Sequence, residues 1–166
     1  VARDVLAIES AAIQSLTRRI DHSFETSVAA IINSKGRLVV SGVGKSGHIA
    51  RKIAATFAST GTPAFFVHAG EAGHGDLGMI TSADVLIAIS NSGESEEVVS
   101  LVGFARRFGA TVIAMTGSAE SSTSKEANIH LDCSVEKEAC PLGLAPTAST
   151  SVQLALGDAL AMAVLT

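Results

Sequence analysis

The stretch 41-SGVGKSGH-48 decides the fold. Before it, 37-RLVVSGV-43 is a short apolar run rising into glycine, which reads as a buried strand. After it, 48-HIARKIAATFAST-60 reads as a helix, stopped by Gly61-Thr62-Pro63. Strand, glycine turn and helix in that order begin a βα unit. Gly42, Gly44 and Gly47 spell G-x-G-x-x-G, and Gly44-Lys45-Ser46 looks like the end of a nucleotide P-loop. The P-loop pattern would put its first glycine at position 39. That residue is Val39, inside the strand, where a bulky side chain cannot replace the glycine that turns around a phosphate. The dinucleotide fingerprint asks for an acidic residue at the end of the next strand. That strand, 64-AFFVH-68, ends in His68, with Glu71 three residues later. The same glycines would also serve if they only let a helix pack close to a strand.

Outward from this stretch the βα pattern repeats. Upstream, Val5, Ile8, Ala12, Ile13, Leu16 and Ile20 recur at helical spacing, and a second helix is expected over 22–34. Downstream, 64-AFFVH-68 leads into the glycine-rich loop 69-AGEAGHGDLG-78. Strand 84-DVLIAIS-90 runs into loop 91-NSGES-95 and a helix over 96–108. Strand 111-TVIAMTG-117 leads to a serine-rich segment and a short helix, and 129-IHLDC-133 leads to a loop over 134–146. A final helix starts near Pro146-Thr147. The strands do not alternate in polarity, as expected where both faces are covered. Alternating strands and helices predict an α/β fold, a doubly wound parallel sheet of about five strands flanked by helices, with ligands at the carboxyl ends of the strands.

A length of 166 residues suits one domain with a real core. The chain has no Trp or Tyr, which disfavours base-stacking binders of single-stranded nucleic acid. The net charge of −4 and the lack of a Lys/Arg run argue against a nucleic-acid partner altogether. Cys133 and Cys140 match no zinc or redox spacing and read as reduced thiols of a cytoplasmic protein. The amino terminus is charged and amphipathic, unlike a signal peptide. The longest apolar run, 159-ALAMAVLT-166, is too short to span a bilayer, so no membrane partner is expected. The chain starts without Met and stops inside that run, so a piece of a longer protein is expected. The first helices and the last have apolar faces wider than one sheet needs, which predicts a homo-oligomer.

The second loop, 90-SNSGES-95, sharpens the reading. Ser90, Ser92 and Ser95 can turn hydroxyls toward one point, and Gly93 lets the backbone bend around it. The helix that follows offers free N–H groups and a positive dipole end, a natural phosphate seat. Ser46, on the neighbouring loop, can join them. A single such serine would be read as an ordinary helix cap; the cluster reads as a phosphate site that needs no metal.

The segments 41-SGVGKSGHIARKIAATFASTGTPAFFVHAGEAGHGDLGM-79, 87-IAISNSGESEEVV-99 and 136-EKEACPLGLAPTAST-150 resemble the sugar-isomerase (SIS) domain. Within that superfamily they are similar to the bacterial arabinose-5-phosphate isomerase branch. The serine loop marks only the wider superfamily, whereas GKSGH, GEAGHGDLG and KEACPLGLAPT belong to the isomerase branch. The resemblance covers essentially the whole chain, 1–166, and implies a flavodoxin-like SIS fold. The activity it implies interconverts ribulose 5-phosphate and arabinose 5-phosphate for the Kdo sugar of lipopolysaccharide, with no redox cofactor. It also implies a tetramer. The family continues past the point matching Thr166 with a His-Pro-Gly-Gly segment, whose histidine is thought catalytic, and usually with a pair of CBS domains.

Aldose–ketose isomerisation removes a proton beside a carbonyl and returns it to the neighbouring carbon through an enediolate. One carboxylate can do both, while a cation or hydrogen-bond donor stabilises the oxyanion. The resemblance maps the family's functional positions onto Lys45, His74, Glu97 and Glu138. Lys45 supplies charge toward the sugar, and Glu138 is slightly favoured over Glu97 as the base. His74 assists hydroxyl proton transfer or binds a divalent metal such as zinc. Ser46, Ser90, Ser92 and Ser95 hold the phosphate, supported by Gly44, Gly93 and Thr147. The remaining histidines, His22, His48, His68 and His130, get no role. The competing expectation is a non-catalytic sugar-phosphate sensor, as in SIS-containing transcriptional regulators; such a domain would keep the serine loop without keeping Lys45, Glu97, Glu138 and His74 together.

Overall fold

Val39 and Val40 are both fully buried, yet they belong to different cores. Adjacent residues on a strand point to opposite faces, so both faces of the sheet must be covered. The computed structural model describes residues 1–72 and 75–166, with Asp76 described by its backbone alone, and shows how this is done.

Five parallel strands, β1 (Leu38–Gly42), β2 (Ala64–His68), β3 (Val85–Ser90), β4 (Thr111–Thr116) and β5 (Ile129–Asp132), line up in the order β2-β1-β3-β4-β5. The central strands β1 and β3 are buried along their whole length, and β2, at the edge, is half-buried. One face carries α1 (Ala2–Ser15), α2 (His22–Asn33), α3 (Gly44–Ser59) and α7 (Ala148–Leu165). There Val40, Ile87 and Ile113 meet Ile53 and Phe57 of α3 and Leu156 of α7. The other face carries α4 (Ala69–Ala72), α5 (Glu96–Arg107) and α6 (Ser122–Glu126). There Val39, Leu86 and Val112 meet Val98, Leu101 and Val102 of α5. The doubly wound α/β architecture expected from the strand pattern is the one present.

This strand order reverses direction between β1 and β3, the switch point at which open α/β sheets bind ligands. The two strands are in register there, with Gly42 opposite Ile89. The helix expected to begin at His48 begins at Gly44, so the GKSG segment is the first turn of α3. Glycine is a poor helix former, but here a contact overrides that preference. A Cβ on Gly47 would lie 3.0 Å from the Gly42 carbonyl oxygen, and one on Gly42 would lie 3.0 Å from the Ile89 oxygen. The paired glycines bring helix and strand together. The glycine-rich segment after β2, read as a loop, contains α4 and a 3₁₀ turn over Asp76–Met79. Among the described residues one helix, α7, is long and apolar enough to cross a membrane, although the apolar run read from the sequence was too short. Its Val152, Leu156 and Leu160 are buried against the sheet and its neighbouring helices.

Candidate functional site

The first turns of α3 and α5 follow β1 and β3, which are neighbours in register, and so start from adjoining strand ends on opposite faces of the sheet. Neither helix is closed by the side chain of its own N-cap residue. The residue before α3 is Val43, which has no polar side chain, and the residue before α5 is Ser95, whose hydroxyl makes no capping bond. By contrast, Asp21 caps α2 and Ser121 caps α6. The free amides and dipole ends of a 16-residue and a 12-residue helix therefore both lie at the carboxyl edge of the sheet, where the switch-point crevice of such folds is found. Such a pair attracts an anion.

Three of the four phosphate candidates, Ser90, Ser95 and Ser46, stand at or after the adjoining strand ends of β3 and β1 with different partners. Ser90 is buried, and its Oγ accepts from the Gly93 amide at 3.1 Å and lies 3.3 Å from Ser95 Oγ. Ser90 thus shapes the loop, while Ser95, half-buried, presents its hydroxyl at the helix end. Ser46, in the first turn of α3, donates to Gln153 Oε1 on α7 at 3.1 Å. Ser92 is exposed, and its Oγ accepts from the Glu94 amide, so it holds the turn rather than joining the Ser90–Ser95 pair. Gly93 has φ of +70°, which glycine supplies at no steric cost. Gly44 likewise turns the chain into α3 at φ +55°.

Lys45 is exposed in the first turn of α3. A cation there opposes the helix dipole, a placement that local helix energetics does not favour and a bound anion would relieve. Among the described residues it forms no ion pair.

The two candidate carboxylates part company. Glu138 is half-buried in the loop after β5, and its Oε2 accepts from the Thr147 amide at 2.8 Å, the Thr147 hydroxyl at 3.1 Å and the Ser149 amide at 3.2 Å. It closes the start of α7, which Thr147 leaves uncapped by its own side chain. Burial alone would raise its pKa, but the donors from Ser149 and Thr147 outweigh burial and hold it below the usual glutamate value. Glu138 is therefore ionised at neutral pH. Ser149 and Gln153 are both fully buried and four residues apart on α7, hence on one helix face. That face links the Glu138 loop to Ser46. Glu97 is exposed on the first turn of α5 and lines a crevice of about 260 Å³ with Gly70, Ala72 and Leu77, on the α4 side of the sheet. Glu97 thus stands on the α5 face of the sheet, and Glu138 at the start of α7, which packs on the other face.

His74, the candidate for proton transfer or metal binding, lies outside the described residues. Among the described residues no cluster of His, Cys, Asp and Glu could hold a metal ion. His68 accepts from the Gly70 amide at 3.2 Å, and His130 pairs with Thr116 Oγ1 at 3.0 Å, so both have local structural partners. Gln153 went unnoticed in the sequence. The signal available was one uncharged polar residue inside the apolar run of the last helix, four positions after a serine.

Residues 30–163 match the profile of the SIS domain family. The chain is 55% identical over 163 residues to arabinose 5-phosphate isomerase KdsD of Escherichia coli K12, covering 98% of this chain and 50% of that protein. It is 54% identical over 164 residues to KdsD of Pseudomonas aeruginosa, covering 99% of this chain and 50% of the relative. The chain thus spans half the length of these curated relatives. The solved structure of E. coli CFT073 c3406 in complex with arabinose 5-phosphate superposes with a TM-score of 0.94 at 42% identity, covering 99% of this chain and 87% of that one.

Proposed function

The chain belongs to the SIS domain family, and on that premise we propose that it is the isomerase domain of a sugar-phosphate isomerase. The reaction we infer interconverts ribulose 5-phosphate and arabinose 5-phosphate, as the name of the KdsD relatives suggests. The observation that carries this reading is the pair of uncapped helix ends, α3 and α5, at adjacent strand termini with Ser46 and Ser95 on them. Hydroxyls and helix dipoles seat the phosphate, and the sugar extends past Lys45.

In this reading a carboxylate takes the proton from the carbon beside the carbonyl, Lys45 stabilises the enediolate oxygen, and the same carboxylate returns the proton to the neighbouring carbon. Glu138 remains the favoured base. Its Oε2 carries all three bonds to Thr147 and Ser149, which leaves Oε1 for substrate. Glu97 is the alternative. His74 keeps its proposed part in hydroxyl proton transfer or metal binding. The reading also takes the protein as a cytoplasmic homo-oligomer, a tetramer, serving Kdo synthesis. In support of an oligomer, no residue of α1 is buried, and Leu6 and Ile13 are exposed on it.

The test is proton exchange at C2 of arabinose 5-phosphate in deuterated water, run on the whole native protein. An isomerase promotes wash-in of deuterium, and a sensor cannot. Tight binding with no exchange from neutral to alkaline pH would replace this reading with the sensor.

A further inference from the structure

Gln153 is completely buried in an otherwise apolar stretch of α7, 152-VQLAL-156. Its Oε1 accepts the Ser46 hydroxyl at 3.1 Å, while among the described residues its Nε2 has no hydrogen-bond partner. A buried N–H left unpaired is costly and asks for an explanation. The bond to Ser46 poses a second difficulty. A serine hydroxyl has one proton, and Ser46 directs it into the protein, toward Gln153. A phosphate dianion offers only acceptors, so in this arrangement Ser46 has nothing to donate to it.

A half-turn of the carboxamide about its terminal bond gives one Nε2 N–H a partner and frees the Ser46 proton in the same movement. That torsion is broad and nearly two-fold, and the exchange of Oε1 for Nε2 leaves the shape of the side chain unchanged. Nε2–H then donates to Ser46 Oγ, and the Ser46 proton is released toward the crevice. We propose that Gln153 is a positioning residue of the sugar-phosphate site. With ligand bound, its amide N–H donates to Ser46 Oγ, and Ser46 donates its one proton to a phosphate oxygen. Each bond in such a chain strengthens the next. Gln153 stands four residues from Ser149, whose amide Glu138 holds, so the relay joins the phosphate seat to the helix that the favoured base caps. The inference rests on the reading of the crevice as a sugar-phosphate site.

The experiment is titration calorimetry of arabinose 5-phosphate into the unaltered protein, Gln153→Met, Ser46→Ala and the double variant. Met keeps the volume and removes both polar atoms. Gln153→Met is expected to weaken binding about 3- to 10-fold, the effect of one hydrogen bond. In the Ser46→Ala background the same change is expected to cost nothing further, because its effect passes through Ser46. Its melting temperature is expected to stay level or rise, since no buried N–H is left unpaired. Binding by Gln153→Met equal to the unaltered protein overturns the relay. So does a loss that persists undiminished beside Ser46→Ala. A measurement without variants keeps the test open if the Met protein does not fold: the side-chain amide signals of Gln153 in ¹⁵N spectra must shift on saturation with ligand, and unmoved signals overturn the relay. If the unaltered protein binds no arabinose 5-phosphate, the sugar-phosphate reading itself falls and takes the relay with it.

Discussion

Glu138 Oε2 lies 2.8 Å from the Thr147 amide nitrogen and 3.1 Å from the Thr147 hydroxyl, so one carboxylate oxygen ties the loop after β5 to the first turn of α7. The same group is the favoured base, and its two roles make different demands. As a cap it must be ionised. As a base for a carbon acid it must be ionised and also have a free oxygen facing the substrate.

The capping role sets the first prediction. Burial opposes ionisation of Glu138, but the Ser149 and Thr147 donors prevail, and its folded pKa lies below the usual glutamate value. A group depressed on folding contributes stability that is complete above its unfolded pKa and is lost as the pH falls through its folded pKa. Glu138→Gln is therefore expected to cost about 1 kcal/mol at neutral pH, the size of a helix cap. In a chain of this length that is a fall of about 2–4 °C in melting temperature. The gap should close as the pH drops through the acid range. Thermal melts of both proteins over that range check this, and a gap that is constant with pH would remove the carboxylate from the capping role.

The serine loop supplies the second. Gly93 sits at φ +70°, and a Cβ there would collide with the Ser121 side chain and lie 3.4 Å from Thr116 Cγ2. Its carbonyl also accepts from the Thr123 amide at 3.0 Å and the Thr123 hydroxyl at 2.7 Å, which fastens the loop to α6. Gly93→Ala is expected to lower stability by about 1–3 kcal/mol through overpacking and to weaken arabinose 5-phosphate binding. Urea unfolding and calorimetry would show both. Unchanged stability would mean that the loop has room to move aside.

The βα order, the buried parallel strands and the clustering of serines after β3 were legible because each is a local pattern. Val39 alone, standing where a P-loop needs glycine, was enough to set that reading aside. What the sequence concealed was set by contacts between distant segments. Gly44 to Gly47 read as loop, because local propensity penalises glycine in a helix and the Gly42–Gly47 approach that overrides it spans two elements. Ser92 looked equal to Ser90 and Ser95, yet its hydroxyl is turned to the Glu94 amide. Glu97, on the first turn of a helix, and Glu138, in a loop, both read as candidate bases, and the two-faced sheet puts them on opposite sides. Gln153 was hidden by its apolar neighbours; its meaning comes from Ser46, 107 positions away in sequence.

The thiols give the third prediction. Cys133 is fully buried, and burial pushes its pKa far up. Cys140 is half-buried in the loop between Glu138 and α7, and the backbone amide of Ala145 with those of Leu142, Leu144 and Gly143 draws its pKa down. Only a thiolate attacks an alkylating agent. Native protein at neutral pH is expected to take up one iodoacetamide, at Cys140, and denatured protein two. Peptide mapping by mass spectrometry locates the label. Equal labelling of both cysteines in the native state would contradict the buried position of Cys133.

Lys45 carries the last prediction, in which stability and activity should move in opposite directions. A cation in the first turn of α3 opposes the helix dipole, and among the described residues no ion pair compensates it. Lys45→Ala should therefore leave the ligand-free protein as stable or raise its stability by about 0.3–1 kcal/mol. If Lys45 stabilises the enediolate, the same change removes a charge that acts mainly when the oxyanion develops. Exchange at C2 of arabinose 5-phosphate is then expected to fall about 100- to 1000-fold. Affinity for inorganic phosphate, held by the helix ends and serines, should fall much less. A residue kept only for folding would lose stability and activity together. A residue that only attracts the anion would lose phosphate affinity as steeply as turnover. Melting curves, phosphate titration and deuterium exchange on the one variant separate the three cases, and only a stable, phosphate-binding, exchange-deficient protein fits Lys45 as the group that faces the reacting oxygen.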